Sequence, residues 1–273
     1  MKVFKKYNIN FVKAEASGND FIIINARDKR IRNRRIDYKK VAADLCRRHY
    51  SVGADGILVL EPSKKADFKM RIINSDGSEA SMCGNGMRCS ALYASRSGWG
   101  DELAVETGAG ILYVTVKDGL IKVKMTTPAD ICPEVTLKIG RKMFKVGYVN
   151  TGVPHAVVPV KNIDTYPVRK MGRVIRNHSY FAPRGTNVDF VEKKDRKILI
   201  RTYERGVEDE TLSCGTGNVA AAVMMGVWGE ASSPVAMTTK SGEITKVYFG
   251  IKDGKVKEAY LEGRANIIFE GGV

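Results

Sequence analysis

The sequence predicts an α/β protein of the α+β type, built as two pseudo-symmetric domains, each a curved mixed sheet or barrel around a central helix. Three observations predict it. Cys83-Gly84-Asn85-Gly86 and Cys214-Gly215-Thr216-Gly217 each join a cysteine to a Gly-x-Gly turn, lead into small and apolar residues, and lie about half a chain apart. Strand patterns outnumber helix patterns along the chain. Finally, Val219-Ala220-Ala221-Ala222-Val223-Met224-Met225 has almost no polar face. A helix apolar all round is normally buried, so this one is expected to run through the middle of its half, wrapped by strands.

The elements follow in order. Phe21–Ile24 and Ile57–Leu60 are short apolar runs of the buried-strand type, and Val41–His49 between them reads as a helix. Gly84–Ser95 is the helix opened by the first cysteine motif. Ile111–Val116 alternates, turns at Asp118-Gly119 and resumes over Leu120–Met125; aspartate-glycine between β-branched runs signals a hairpin. Thr127-Pro128-Ala129-Asp130 leads from the first domain (1–127) to the second (128–263). Pro167–Asn177 reads as a helix with proline near its first turn, and Thr216–Trp228 as the helix of the second motif. Val247–Ile251 and Val256–Leu261 flank a turn at Asp253-Gly254. The last strand, Ala265–Phe269, can return to either half, and residues 264–273 are expected to complete the first.

The 273 residues are 44% hydrophobic and 27% charged, the balance of a soluble globular protein with a sizeable core. No apolar run approaches the roughly 18 residues of a membrane span, and Met1-Lys2-Val3-Phe4-Lys5-Lys6 precedes no signal core. A cytoplasmic protein with no membrane partner is expected. The net charge is +15, densest from Arg27 to Lys40. Without interleaved stacking aromatics, zinc-finger spacing or an RNA-recognition motif, that stretch reads as a solvated connecting segment, with no nucleic-acid partner. Monomer and homodimer both stay open.

Five cysteines, Cys46, Cys83, Cys89, Cys132 and Cys214, form no Cys-x-x-Cys and no Cys/His cluster. Free thiols in a reducing compartment are expected, with Cys46, Cys89 and Cys132 packed as small hydrophobes. No phosphate loop or metal-ligand cluster is evident, so neither cofactor nor metal is expected.

Chemistry concentrates at the motif cysteines. A cysteine at a helix N-terminus sits among unpaired backbone N–H groups and the positive end of the helix dipole, which favour a thiolate and lower the thiol pKa. The same N–H groups can hold a carboxylate. Two such thiols facing one carbon could remove a proton from one side and return one on the other, the chemistry of a cofactor-independent amino-acid racemase or epimerase. Helix N–H groups aimed at the α-carboxylate would stabilise the enolate-like carbanion.

The motifs also carry a resemblance. Ala16-Ser17-Gly18-Asn19-Asp20-Phe21, Asn74-Ser75-Asp76-Gly77-Ser78, Met82 through Cys89, Gly152-Val153-Pro154-His155, Gly185-Thr186-Asn187-Val188, and Tyr203-Glu204-Arg205-Gly206-Val207-Glu208 through Gly217 together resemble the diaminopimelate epimerases, in family order over most of the chain. The resemblance implies a pyridoxal-phosphate-independent enzyme interconverting LL- and meso-2,6-diaminopimelate in lysine and peptidoglycan-precursor biosynthesis, with its active site in the cleft between the two domains. It implies Cys83 and Cys214 as the acid/base pair. Gly84, Asn85, Gly215 and Thr216 would bind the α-carboxylate. Asn19, Asn74, Asn187 and Arg205 would hold the substrate, mainly its distal amino-acid group, with His155 and Glu204 beside the reacting centre. Two departures stand out: Val153 where some members have asparagine, and Gly56 after Gly53-Ala54-Asp55 where some have glutamine, so no binding role is assigned to that loop.

Singly, these residues have plainer readings: His155 as a satisfied core histidine, Asn19 and Asn74 as loop and turn formers, Glu204 and Arg205 as a solvated pair. Their joint occurrence with both cysteine motifs reverses the weighting. Proline and hydroxyproline racemases share the two-cysteine logic but commonly have histidine where Asn85 stands. Phenazine-type isomerases lack one catalytic cysteine. A basic nucleic-acid-binding protein on the same scaffold would reveal itself by salt-dependent binding.

Overall fold

A computed structural model of the chain describes residues 6–195, 197–252 and 255–273. In chain order the elements are β1 (Asn10–Ala16), β2 (Asn19–Asn25), α1 (Lys29–Arg32), α2 (Tyr38–Leu45), β3 (Gly56–Glu61), β4 (Phe68–Asn74), β5 (Glu79–Ala80), α3 (Gly84–Arg96), β6 (Glu102–Thr107), β7 (Gly110–Lys117), β8 (Leu120–Met125), β9 (Ala129–Ile139), β10 (Lys142–Asn150), β11 (Pro154–Pro159), α4 (Val168–Arg176), β12 (Asn187–Lys194), β13 (Lys197–Glu204), β14 (Asp209–Thr211), α5 (Gly215–Val227), β15 (Val235–Thr238), β16 (Ile244–Lys252), β17 (Lys255–Arg264) and β18 (Asn266–Gly272). Two short 3-10 turns, Ile163–Thr165 and Ser179–Phe181, flank α4. No described helix is long and apolar enough to cross a membrane.

The chain forms two compact units, one built from the chain up to Val123 together with Gly263–Val273, the other from Lys124–Glu262. In the first, strands pair in the order β18-β1-β2-β3-β4-β6-β7-β8. The pairs β2–β3 and β4–β6 are parallel and the others antiparallel; the short β5 shares β4 with β6. In the second, the order β9-β10-β11-β12-β13-β15-β16-β17 repeats the same senses, with β11–β12 and β13–β15 parallel and β14 beside β13. The units are therefore topological repeats. The first position of the series is filled by a hairpin partner, β9, in one, and by the final strand of the chain in the other. There β18 pairs with β1, and Ile9 and Val273 exchange backbone hydrogen bonds at 2.9 Å.

Parallel neighbours require crossover connections, and these supply the helices. The β4-to-β6 crossover contains α3, and the β13-to-β15 crossover contains α5. Helix α3 packs on β18, β1, β2, β3, β4 and β7, and α5 on β10, β11, β12, β13, β15 and β16. Val219 through Met225 are all buried, as an apolar-all-round helix requires. Helix α3 is also buried along most of its length, although it carries Arg88 and Ser90 inward.

The predicted strands and helices are present, with shifted ends. Asp118 and Gly119 take φ of 51° and 73°, the left-handed pair of a two-residue hairpin, and Lys117 faces Leu120 across it. Helix α2 starts at Tyr38 rather than Val41, because the Asp37 side chain accepts from the Lys39 and Lys40 N–H groups and caps it there. It stops at Leu45 rather than His49, where φ turns to 69°. The turn expected at Asp253-Gly254 lies outside the described residues. Cys46 and Cys89 are buried as expected, and burial pushes the Cys46 thiol up to about 12. Cys132, by contrast, is partly exposed, because β9 turns a solvated face there, and its thiol donates to the Glu134 carbonyl at 3.4 Å.

Close packing of α4 on β13 gives a stability prediction. A Cβ at Gly172 would sit 2.4 Å from Tyr203 Cβ and 2.6 Å from Cγ, atoms held by the strand backbone. Alanine gains up to ~1 kcal/mol of helix propensity there, but the overlap outweighs it. Gly172→Ala is expected to destabilise the protein by about 1–3 kcal/mol, read as a lowered denaturant midpoint. A midpoint equal to or above that of the unsubstituted protein would show that the contact relaxes freely.

Candidate active site

In the first unit, Cys83 is the N-cap residue of α3, extended at φ −147°, ψ 118°, and its Sγ accepts from Gly86 N–H at 3.4 Å. Gly86 packs closely on β3, where a Cβ would meet Leu58 Cδ2 at 3.0 Å. The left-handed pair Ser17 (φ 54°) and Gly18 (φ 77°) reverses the chain between β1 and β2, bringing Asn19 to the helix start. The Cys83 thiol donates to Asn19 Oδ1 at 3.7 Å, and Asn85 Nδ2 donates to the same oxygen at 3.5 Å. Asn74 is hydrogen-bonded within its own turn, to Ser78 Oγ at 2.9 Å. That turn docks on the Asp55 loop through Ser75 N–H and the Asp55 carbonyl at 3.1 Å.

The loop assigned no role proves to support the site. Asp55 accepts from Asn19 Nδ2 at 2.6 Å and from Asp20 N–H at 3.1 Å. Arg48 bridges Asp20 at 2.6 Å and Asp55 at 2.8 Å, and Lys13 pairs with Asp20 at 2.6 Å. Burial opposes the charge of Asp20, but Lys13 and Arg48 more than offset it and hold the carboxyl below its ordinary value. Gly56 itself has a packing reason, because a Cβ would lie 2.7 Å from the Ile73 carbonyl oxygen across the β3–β4 ladder.

In the second unit, Cys214 occupies the equivalent N-cap position on α5. Its Sγ lies 3.4 Å from Thr216 Oγ1, and Thr151 Oγ1 donates to the Thr216 carbonyl at 3.4 Å. Glu204, at the end of β13, accepts from Thr211 Oγ1 at 2.6 Å and is hydrogen-bonded to the Cys214 thiol. Burial raises the Glu204 carboxyl above its ordinary value, although those two hydrogen bonds act against the rise.

The expected lowering of the thiol pKa is reversed at Cys214. Burial pushes this thiol well above its ordinary value, the negative charges of Glu204 and Asp189 add to the rise, and Thr216 and Gly217 N–H counteract only part of it. A helix terminus contributes up to ~2 kcal/mol, whereas removing a thiolate from water can shift a pKa by several units. Cys214 therefore rests as a thiol at neutral pH.

His155 on β11 is fully buried, with Nδ1 2.7 Å from Asp189 Oδ2. Asn187 and Asp189 alternate along β12, and Asn187 faces His155 in the parallel β11–β12 register. Asn187 Oδ1 accepts from Arg205 N–H at 2.8 Å, which turns its Nδ2 toward the Pro154 carbonyl at 3.2 Å and His155 Nε2 at 3.5 Å. Arg205 lines a groove of about 570 Å³ with Tyr148, Asn150, Pro154 and Arg184.

Asp189 was not singled out by its sequence. It is fully buried, accepts from Thr202 Oγ1 at 2.8 Å, and lies so close to α5 that a Cβ at Gly217 would sit 2.4 Å from its Oδ1. Its available signal is the Asn187-Val188-Asp189 alternation, polar at i and i+2 within an apolar strand, one residue beyond the motif that was read.

Helices opened by cysteine in equivalent places of two topological repeats can be set against known proteins. The Bacillus anthracis phenazine biosynthesis protein matches with a TM-score of 0.71 and 19% identity over 97% of this chain and 98% of that one. A probable proline racemase from Agrobacterium radiobacter K84 also gives 0.71, with 16% identity over 97% and 92%. At these identities the likeness is one of fold, and it makes this a two-repeat α+β protein of their type. Sequence reaches further: the diaminopimelate epimerase of Aquifex aeolicus is 40% identical over 96% of this chain and 97% of its own. The profile of that family matches residues 11–131 and 147–268, spanning both cysteine motifs and the residues placed around them, so the chain belongs to the diaminopimelate epimerase family.

Proposed function

We propose that this chain is a cofactor-independent epimerase that interconverts LL- and meso-2,6-diaminopimelate, with Cys83 and Cys214 as its acid/base pair. The observation that carries the reading is the equivalent placement of the two cysteines, each the N-cap of the buried helix of its own repeat. Inversion at an α-carbon needs a base for one face and an acid for the other, and a repeat supplies one of each without a second kind of residue. The N–H groups at the starts of α3 and α5, from Gly84 with Asn85 and from Gly215 with Thr216, receive the α-carboxylate and stabilise the enolate-like charge that develops when the proton leaves. Glu204, hydrogen-bonded to Cys214 and with its carboxyl raised toward neutrality, exchanges the proton with that thiol. His155 keeps its proton on Nδ1 toward Asp189 and a lone pair on Nε2 beside Asn187. Asn19, Asn74 and Asn187 hold the substrate of a cytoplasmic enzyme of lysine and peptidoglycan-precursor biosynthesis.

The direct test is exchange of the substrate α-proton in deuterated water, with LL-diaminopimelate and with proline. Exchange with diaminopimelate alone is expected; exchange with proline alone would favour the rival racemase reading.

Arg205 carries selection for the distal amino-acid group. It is held at the end of β13 by its own N–H to Asn187, which leaves the guanidinium in the groove beside Tyr148 and Arg184. A guanidinium grips a carboxylate through two parallel hydrogen bonds, which lysine cannot reproduce. Arg205→Lys is expected to lower kcat/KM by at least ~10-fold, about 1.4 kcal/mol, and Arg205→Met by more. Steady-state kinetics on both isomers checks this, and unchanged kcat/KM in Arg205→Met would remove Arg205 from the site.

A further inference from the structure

Beneath the Cys83 side of the site, two asparagine amides rest on charged side chains of opposite sign. Arg88 is fully buried in α3, with Nη2 2.6 Å from Asn85 Oδ1 and 2.9 Å from Ser17 Oγ, and Nη1 2.7 Å from the Arg264 carbonyl. A guanidinium only donates. The Asn85 atom against it must therefore be the carbonyl oxygen, and the amide nitrogen must face the other way, toward Asn19 Oδ1. Asp55 imposes the converse. A carboxylate only accepts, so the Asn19 atom 2.6 Å from Asp55 Oδ2 is the NH2 group, and the Asn19 oxygen faces the Cys83 thiol and Asn85. Neutral amides offer nearly the same shape either way round, and packing alone selects weakly between the two orientations. The charges beneath select strongly.

We propose that Arg88 and Asp55 are positioning residues that set the donor/acceptor polarity of the substrate-binding surface beside Cys83. Arg88 turns Asn85 so that a donor meets the substrate carboxylate. Asp55 turns Asn19 so that an acceptor meets the cysteine thiol and a substrate ammonium group. The surface thereby reads an amino acid by the sign of each arm rather than by shape. Because Arg88 also holds the Arg264 carbonyl, the same guanidinium ties this polarity to the segment entering β18. The proposal rests on Asn19 and Asn85 being substrate ligands, and its test separates the two claims.

Carboxylate replacements interrogate the orientation without reference to any substrate. In Asn85→Asp the inward oxygen gains a charge against Arg88 while the outward one meets Asn19 Oδ1 across a long 3.5 Å contact, so the full-length protein is expected to lose less Tm than in Asn19→Asp. In Asn19→Asp a carboxylate must face Asp55, and Tm is expected to fall by at least ~2 °C. Asp55→Asn added to Asn19→Asp restores a donor between the two side chains and recovers part of the loss, since the Asp20 N–H gives up the oxygen it shared. Equal Tm changes in the two single variants, or no recovery in the double variant, would overturn the polarity claim whatever the substrate is.

Kinetics on LL-diaminopimelate tests the use made of that polarity. Asn85→Asp presents an oxygen where a donor is needed and is expected to lower kcat/KM at least ~10-fold. Arg88→Lys, still donor-only but with one nitrogen for three acceptors, is expected to raise KM less than Arg88→Gln, which can accept as well as donate and raises KM at least ~10-fold. Equal KM values for Arg88→Lys and Arg88→Gln would overturn the role of Arg88. The Tm asymmetry together with unchanged kinetics in Asn85→Asp would instead overturn the reading of Asn85 as a substrate ligand, and the catalytic half of the proposal with it.

Discussion

Cys83→Ala and Cys214→Ala are each expected to lower epimerisation by at least ~10³-fold, since in the proposed two-base mechanism each removes one of the two groups that move the α-proton. The fold is expected to survive. Cys83 contributes one long N-cap contact, 3.4 Å to Gly86 N–H, and losing a helix cap costs about 1 kcal/mol. Cys214 has only its contacts with Thr216 Oγ1, Glu204 and the Gly217 N–H to lose. Its removal also takes away a thiol that burial, Glu204 and Asp189 all disfavour as a thiolate. The two variants differ in a way a general loss of structure would not produce. Whichever thiol remains serves one face of the α-carbon, so any residual solvent exchange is confined to one of the two isomers, and to the opposite one in the other variant. Circular dichroism and Tm check the fold, and turnover of both isomers in deuterated water checks the chemistry. Near-normal turnover in either variant would end the two-base mechanism.

Cys214 also shows where a sequence argument stops. That a cysteine followed by Gly-x-Gly caps a helix was legible, because the motif has few other local solutions, and both helices start where it placed them. The buried course of α5 was legible too, from seven consecutive apolar residues. The consequence drawn for the thiol was not. It depends on what else is buried beside the helix start, and Glu204 and Asp189 arrive there from β13 and β12 by pairing that no local pattern encodes.

The same limit explains the supporting residues. Asp55 and Arg88 stand inside or beside motifs the sequence shows, yet nothing local assigns either a role. Their roles appear only when β2 and β3 pair in parallel and bring Asp55 to Asn19, and when α3 is wrapped so fully that even its arginine faces inward. The repeat was visible at its two cysteines and nowhere else in residue identity. What repeats is the order and sense of strand pairing, which many side-chain patterns satisfy, and in one unit the last strand of the chain stands where a hairpin partner stands in the other.

Asp189→Asn is the second substitution expected to have a large effect, and the reason lies in hydrogen-bond direction. Asp189 offers two acceptors: Oδ1 to the Thr202 hydroxyl at 2.8 Å and Oδ2 to His155 Nδ1 at 2.7 Å. Asparagine keeps one acceptor. If its oxygen stays with Thr202, its NH2 group faces His155 Nδ1 and moves the imidazole proton to Nε2. Nε2 then points that proton at Asn187 Nδ2, 3.5 Å away, which is itself fixed as a donor because Arg205 N–H holds the Asn187 oxygen. Donor would face donor inside a fully buried cluster, and an unmade hydrogen bond there costs about 1–3 kcal/mol. In the reverse orientation the oxygen keeps the His155 Nδ1 proton and the NH2 group donates to the Thr202 hydroxyl, which accepts as well as donates, so the conflict falls on the first orientation alone. In both orientations the carboxylate charge behind the imidazole is lost, and kcat/KM is expected to fall at least ~10-fold, about 1.4 kcal/mol of transition-state stabilisation. A second readout separates this from simple destabilisation. The Asp189 charge is one cause of the raised Cys214 thiol, so its removal is expected to move alkylation of Cys214 to lower pH, while Thr202→Val, which leaves that charge in place, does not move it in that direction. Alkylation followed by peptide mapping across pH, beside steady-state kinetics on both isomers, measures both effects. An Asp189→Asn protein with unchanged kcat/KM would show that the charge of the buried carboxylate behind His155 has no part in turnover.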